Sequence, residues 1–245
     1  QAFILHLIQN EIFDDEDALI INDYIKSDLK LLIEIILKLG TIKDPTIPIE
    51  TYIRYIQSKD PRFLPLVIEL IDTTFTKRNK KVTLPLIESD ADTINSLEEF
   101  FPLKKVSKEN LLLNWVKSND QWKIIVFIHY LLLKEDGNLL SKLNWNEIDY
   151  KIFTTNLFSF SEINYINRNF LNNELLKNEE HNNMYSILEK TIILKSIDLF
   201  SQIPSHVLTK IGKISSEINY DKGFEIFKKG DFGDSLFIIV KGKIN

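Results

Sequence analysis

No cysteine occurs in the 245 residues, which excludes disulfides, thiolate nucleophiles and cysteine-ligated metals at the outset. Long apolar runs are missing too. The longest, Ile124 to Leu133, is ten residues and contains His129, about half of the roughly 20 residues a spanning helix needs. No secretory signal is visible: Gln1 leads into an acidic stretch at Asp14-Asp15-Glu16-Asp17. The net charge of −5 lacks the concentrated Lys and Arg that phosphate backbones demand. No phosphate loop, Gly-x-Ser-x-Gly elbow or Rossmann glycine triplet is present. These absences give the expectation of a non-enzyme in a reducing, cytoplasmic setting. Glycine is scarce as well: seven in all, of which Gly223, Gly230, Gly233 and Gly242 fall in the last thirty residues.

What is present up to about Ile187 has a helical period. Leu29, Leu32, Ile33, Ile36 and Leu37 repeat at three and four, the buried face of an amphipathic helix. Asp44-Pro45 and Asp60-Pro61 combine a capping carboxylate with a proline suited to a first helical turn, so each reads as a helix start. Pro65 is expected to delay or kink the helix after the second pair. Ile49, Ile53 and Ile56 form one stripe; Phe63, Val67, Leu70, Ile71 and Phe75 form another. Ser107 caps a further helix through Trp115 and Val116, Ser118-Asn119-Asp120 turns the chain, and the next helix carries Trp122 to Leu133. Antiparallel helix pairs with short turns are what HEAT-like solenoids stack. Trp145, Ile148, Ile152, Phe153, Leu157, Phe158 and Phe160 suggest one or two more core-facing helices. The asparagines from Asn164 to Asn183 dilute the pattern and favour a boundary near 178–186. The expected domains are therefore 1–186 and 187–245.

Few residues suggest chemistry. His6, His129, His181 and His206 have no histidine partner at i+3 or i+4, and no ligand set surrounds them. His129 reads as a hydrogen-bonded core residue, His181 and His206 as surface. Asp14 to Asp17 lacks calcium-loop spacing and suits a helix N-terminus. Lys77-Arg78-Asn79-Lys80-Lys81 reads as a solvated inter-helix loop, with contact to an acidic partner or a membrane surface as the alternative. No metal site and no catalytic group is assigned.

The glycine-punctuated end changes the register. Ile218 and Tyr220 alternate as a first strand, Asp221-Lys222-Gly223 turns it, Glu225-Ile226-Phe227 forms a second strand, and Leu236 to Val240 a third. Gly230 and Gly233 allow the intervening turn, Asp234 caps local amides, and Gly242 follows. Ahead of them lies Leu188-Glu-Lys-Thr-Ile-Ile-Leu-Lys-Ser-Ile-Asp-Leu-Phe-Ser-Gln-Ile-Pro204, then a helix from Pro204 to Ile214.

This order resembles the first half of a cyclic-nucleotide-binding domain, CRP/PKA-regulatory-like, over about 188 to 245. An unrelated all-β roll such as a cupin is the alternative. A second stretch, Val67-Ile-Glu-Leu-Ile-Asp, Leu84-Pro-Leu-Ile, Leu97-Glu-Glu-Phe-Phe-Pro-Leu103, Trp115 and Asp120-Gln-Trp122, resembles bacterial proteins that join HEAT-type helices to such a domain. In some of these the helices follow an ATP/ADP-transporter-like membrane domain. The resemblance implies a mainly α fold, a HEAT-like solenoid followed by the first helices and strands of a β-roll. It implies cAMP or cGMP as ligand of an intact domain. It also implies a protein partner for the helices and a location in the cytoplasm, or in the cytoplasmic part of a membrane protein. Leu199 and Phe200 would be the movable relay, with Leu194, Ile197, Val207, Leu208, Ile211 and Ile214 beside them facing the roll. The phosphate-binding cassette would lie past Asn245, so no ligand contact is assigned here. A start without Met and a stop within a β-pattern lead to the expectation of a longer protein. An unpaired last strand edge leads to the expectation that 216–245 is completed by further chain or by a neighbouring molecule.

Overall fold

In a computed structural model, residues 2–12, 16–58, 60–88, 94–101, 107–117, 120–173, 184–228, 230–233 and 235–244 are described. Asp14, Asp15, Leu103, Ser118, Asn119, His181 and Asp234 therefore lie outside the described residues, as does most of the 178–186 boundary. The chain is mainly helical. It divides into two compact units, residues 1–148 and 149–245, and the boundary expected at 186/187 falls within the second.

In the first unit the long helix α2 (Leu19–Thr41) packs against α1 (Ala2–Ile12), α3 (Ile49–Ser58), α4 (Leu64–Thr74) and α5 (Lys77–Glu88). It also packs against α7 (Gln121–Leu133), which follows α6 (Lys108–Val116). The three-four stripes do what their spacing predicts. Leu37, Ile53, Val67, Ile71, Phe75 and Ile87 bury one another where α2 to α5 meet. Helix α7 is buried from Ile124 to Leu131, His129 included, so it is a core helix rather than an amphipathic one. Its N-cap is Asp120, whose carboxylate accepts from the Lys123 amide at 3.1 Å. Ser107 caps α6 by accepting from Asn110 N–H at 3.3 Å, as expected. Tyr24 on α2 donates to Asp120 at 2.5 Å. Burial, then the carboxylates of Asp120 and Asp28, push its phenol far above the ordinary range. Lys123 sits over the Tyr24 and Trp115 rings at 5.7 and 5.4 Å, which closes the clasp between α2, α6 and α7.

Four expectations are corrected, in this unit and in the first residues of the second. Asp44-Pro45 and Asp60-Pro61 form turns, with α3 starting at Ile49 and α4 at Leu64. Each Asp accepts from a backbone amide two residues on, Thr46 at 3.1 Å and Arg62 at 3.0 Å, so the carboxylate closes an Asx turn instead of a helix cap. Pro65 does delay α4, taking a place in its first turn. Lys77 to Lys81 is the start of α5, not a loop; Asn79 N–H bonds the Thr76 hydroxyl at 3.3 Å, as an N-terminal turn does. The stretch from Gly137 to Thr154 is a five-residue helix α8 (Gly137–Ser141) and two 3-10 turns (Trp145–Glu147 and Tyr150–Thr154) rather than full helices. Phe160, at 44% exposure, is not a core residue.

His6 is a buried group that spacing did not single out, at 6% exposure on α1. Burial lowers its pKa against an opposing hydrogen bond to the Leu86 backbone, which ties α1 to α5 with a neutral imidazole. Among the described residues no group of His, Asp and Glu could hold a metal, and no helix is long and apolar enough to cross a membrane.

Candidate functional site

The second unit holds the described residues of the segment expected to form the roll. Phe153 and Phe158 are fully buried with ring centroids 5.4 Å apart. Helix α9 (Phe160–Ile166) then starts on a capping box, Ser159 with Glu162. A π turn, Asn167–Leu171, ends it. The buried Asn167 amide holds that turn closed by donating to Asn173 O at 3.0 Å and accepting from Asn173 N at 2.7 Å. Asparagine here fastens a helix end, the role its short amide is suited to.

Helix α10 (Ile187–Lys195) has a second capping box, Ser186 with Glu189. It packs against α11 (Ser205–Ile214) through the short turn Asp198–Phe200. From Met184 to Glu189 each backbone amide has an acceptor. Met184 and Tyr185 donate to Glu217 at 2.8 and 3.2 Å. Ser186 donates to Glu189 at 2.6 Å, Ile187 to Asn156 O at 2.8 Å, Leu188 to Leu157 O at 3.2 Å, and Glu189 to Ser186 at 3.2 Å. Six consecutive donors at a helix N-terminus are thus satisfied by side chains and by the 156–157 strap.

Glu217 is the first charged residue after α11 and the point where helix gives way to extended chain. Its carboxylate pairs with Lys190 at 3.0 Å, and the Lys190 ammonium also donates to Ser215 O at 3.3 Å. Burial alone would raise the Glu217 pKa, but Lys190 and the two amides outweigh it and hold the carboxyl below its ordinary 4.5. A cleft of about 680 Å³ opens here, lined by Asn156, Met184, Lys190, Gly212, Lys213 and Glu217 among others. A depressed carboxyl pKa means that this tie contributes stability above pH 4.5 and loses it as pH falls through the lower native value. Glu217→Gln is expected to speed amide exchange at Met184 and Tyr185 at pH 6 and to remove the acid-sensitive part of their protection. Unchanged protection at both amides would show that Glu217 holds nothing.

Leu199 is 72% exposed and Phe200 half-buried on the 198–200 turn. The Phe200 amide donates to Ile197 O and its carbonyl accepts from Ile203 N, both at 2.9 Å, while Lys195 reaches Ile203 O at 2.8 Å. Leu194 and Leu208 are buried between the helices, and Ile214 is 85% exposed.

Beyond Ser215 the two turns form and the strands do not. Phe224 N–H donates to Asp221 O at 3.0 Å with Gly223 at φ +86°, and Asp231 N–H to Lys228 O at 3.1 Å with Gly230 at φ +104°. Both glycines use the left-handed region for which a side chain would be strained. Gly242 is also left-handed, whereas Gly233 is not. Among the described residues of 215–244 there is no strand. Leu236, Phe237, Ile239 and Val240, expected to be buried on both faces, are 69, 44, 50 and 46% exposed. The reason is physical: a turn is closed by local bonds, but a ladder needs a partner, and short hairpins alone are marginal in water.

No family model matches the chain, and no solved structure does. Two curated Drosophila melanogaster proteins share similarity with a short segment. One is the cGMP-dependent protein kinase, isozyme 2 forms cD5/T2, and the other is a further set of forms of the same isozyme; each is 38% identical over 56 residues. The matched segment covers 23% of this chain and only 6% and 5% of the two kinases.

Proposed function

We propose that this chain belongs to a non-catalytic, cyclic-nucleotide-responsive regulatory protein. Residues 187–244 supply the leading helices and first strands of a β-roll, which is coupled to a HEAT-like helical array. Support comes chiefly from the order α10, 198–200 turn, α11, then two glycine turns separating apolar segments, together with the 56-residue similarity to cGMP-dependent protein kinases. In this reading the exposed apolar residues of 218–244 are one face of a sheet awaiting its partner strands. Cyclic nucleotide, cGMP or cAMP, binds the completed roll, and α10 and α11 carry the change through Leu199 and Phe200.

A second reading is a protein-interaction scaffold with a degenerate, non-binding roll; an exposed groove on the first unit favours it. The two separate by experiment on the full-length natural polypeptide. Phe200→Ala should alter the cGMP-driven change in hydrogen exchange across 187–214 without abolishing nucleotide binding. Equal responses in the variant and the natural protein would remove Phe200 from the relay. No response to cGMP or cAMP in either would leave the scaffold reading.

A further inference from the structure

Leu31, Ile35, Leu39 and Ile42 on α2 and its C-cap are 54, 43, 62 and 72% exposed. Spacings of four, four and three place them in one stripe, on a helix whose other side is already core. Apolar stripes of this kind mark interaction surfaces more often than chance exposure. Beside the stripe lies a groove of about 340 Å³ whose apolar lining includes Leu39, Gly40, Phe75, Val82, Phe100 and Phe101. Its polar lining is Arg78, Asn79 and Thr83.

The charge on its α5 side is cationic. Lys38 is neutralised by Glu34 and Glu50 at 2.8 and 3.1 Å, and Lys80 pairs with Asp72 at 3.3 Å. Lys77, Arg78 and Lys81, all exposed on the first turns of α5, hold no ion pair among the described residues. In a chain of net charge −5, three cations without an ion pair among the described residues stand on the first turns of α5, and one of them, Arg78, lines the groove. This favours a ligand that is apolar and carries acidic groups on its α5 flank.

We propose that this face docks an amphipathic helix of a partner protein. Its apolar side chains would enter the groove and lie along the α2 stripe, and its carboxylates would meet Arg78, Lys77 and Lys81. The shape selects the class. From Leu31 to Ile42 the stripe runs about 16 Å at 1.5 Å per residue, roughly three turns of a partner helix. The groove is recessed between α2, α5 and the Phe100–Phe101 turn, which suits inserted side chains better than a flat bilayer. The first unit offers no strand among the described residues to which an extended peptide could pair. This inference is independent of nucleotide binding.

The test is selection of random 16-residue peptides displayed on phage against the full chain, followed by calorimetry with synthetic winners. Enriched peptides are expected to place aliphatic or aromatic residues at i, i+3 or i+4, and i+7, with Asp or Glu clustered on one flank. Leu39→Asp should weaken their binding about tenfold or more, and Arg78→Glu several-fold with a loss of salt dependence. Leu39 is exposed enough that its substitution leaves the fold intact, which circular dichroism checks. Failure to enrich any peptide, winners without acidic residues, or affinities indifferent to both substitutions would overturn the proposal. So would two positive results of another kind. Binding of phosphatidylserine vesicles lost in the same variants would assign the face to a membrane, and a dimer broken by Leu39→Asp would assign it to a second copy.

Discussion

Phe75→Ala is expected to destabilise the first unit by about 3–5 kcal/mol, the range for removing a buried aromatic side chain. Phe75 is 7% exposed and sits where α2, α4 and α5 converge, in contact with the Leu37–Ile53–Val67–Ile71 core. Its ring lies so close to α2 that a Cβ built on Gly40 would stand 1.9 Å from Cζ and 2.2 Å from Cε1. Glycine at position 40 is therefore there for the ring. The two substitutions must couple. Gly40→Ala gains about 1 kcal/mol of helix propensity but forces a rigid buried ring to move, an overpacking cost of about 1–3 kcal/mol. At 1.9 Å the clash wins, and the single variant is less stable. In the Phe75→Ala background the clash is gone and the same change should be neutral or stabilising, so a urea-denaturation cycle reads a clear interaction energy. Additive effects would mean that the ring does not occupy the space Gly40 leaves.

Phe158→Ala should cost the second unit about 3–5 kcal/mol as well. Phe158 is fully buried against Phe153 and fixes the strap whose Asn156 and Leu157 carbonyls accept from Ile187 and Leu188. Cavity formation loosens the strap, and two donors of the first turn of α10 lose their acceptors. Denaturation should show the loss of stability, and exchange at Ile187 and Leu188 should rise more than at Thr191, which lies a turn further along α10. A cost under about 1 kcal/mol, or uniform exchange along the helix, would contradict this account of how α10 begins.

What the chain reveals in its letters is what local physics decides. Ser107 and the helix stripes through Leu37, Ile53, Val67 and Ile71 were legible because capping and amphipathic periodicity act within a turn or two. The turns at Gly223 and Gly230 were legible for the same reason. The Asp-Pro pairs misled because one carboxylate can serve a helix cap or an Asx turn, and only the downstream packing chooses. The basic run at Lys77 looked like a loop by charge, yet the helix it starts buries Thr83, Pro85, Leu86 and Ile87 further along. No strand forms among the described residues of 218–240: alternation records a capacity to pair, and pairing depends on groups far along the chain. Two features left little trace at all: in the first unit His6 hides within an apolar helix, and in the second the Glu217–Lys190 tie joins residues 27 apart with no motif between them.

The most direct test of a nucleotide-responsive module is hydrogen–deuterium exchange on the full-length natural polypeptide, with and without saturating cGMP and, separately, cAMP. The account predicts slow exchange across 218–240 in the completed roll, and a nucleotide-dependent change confined to α10, the 198–200 turn and α11. Exchange across 187–214 that is identical with and without both nucleotides, or a 218–240 segment as unprotected as an unfolded peptide, would contradict it.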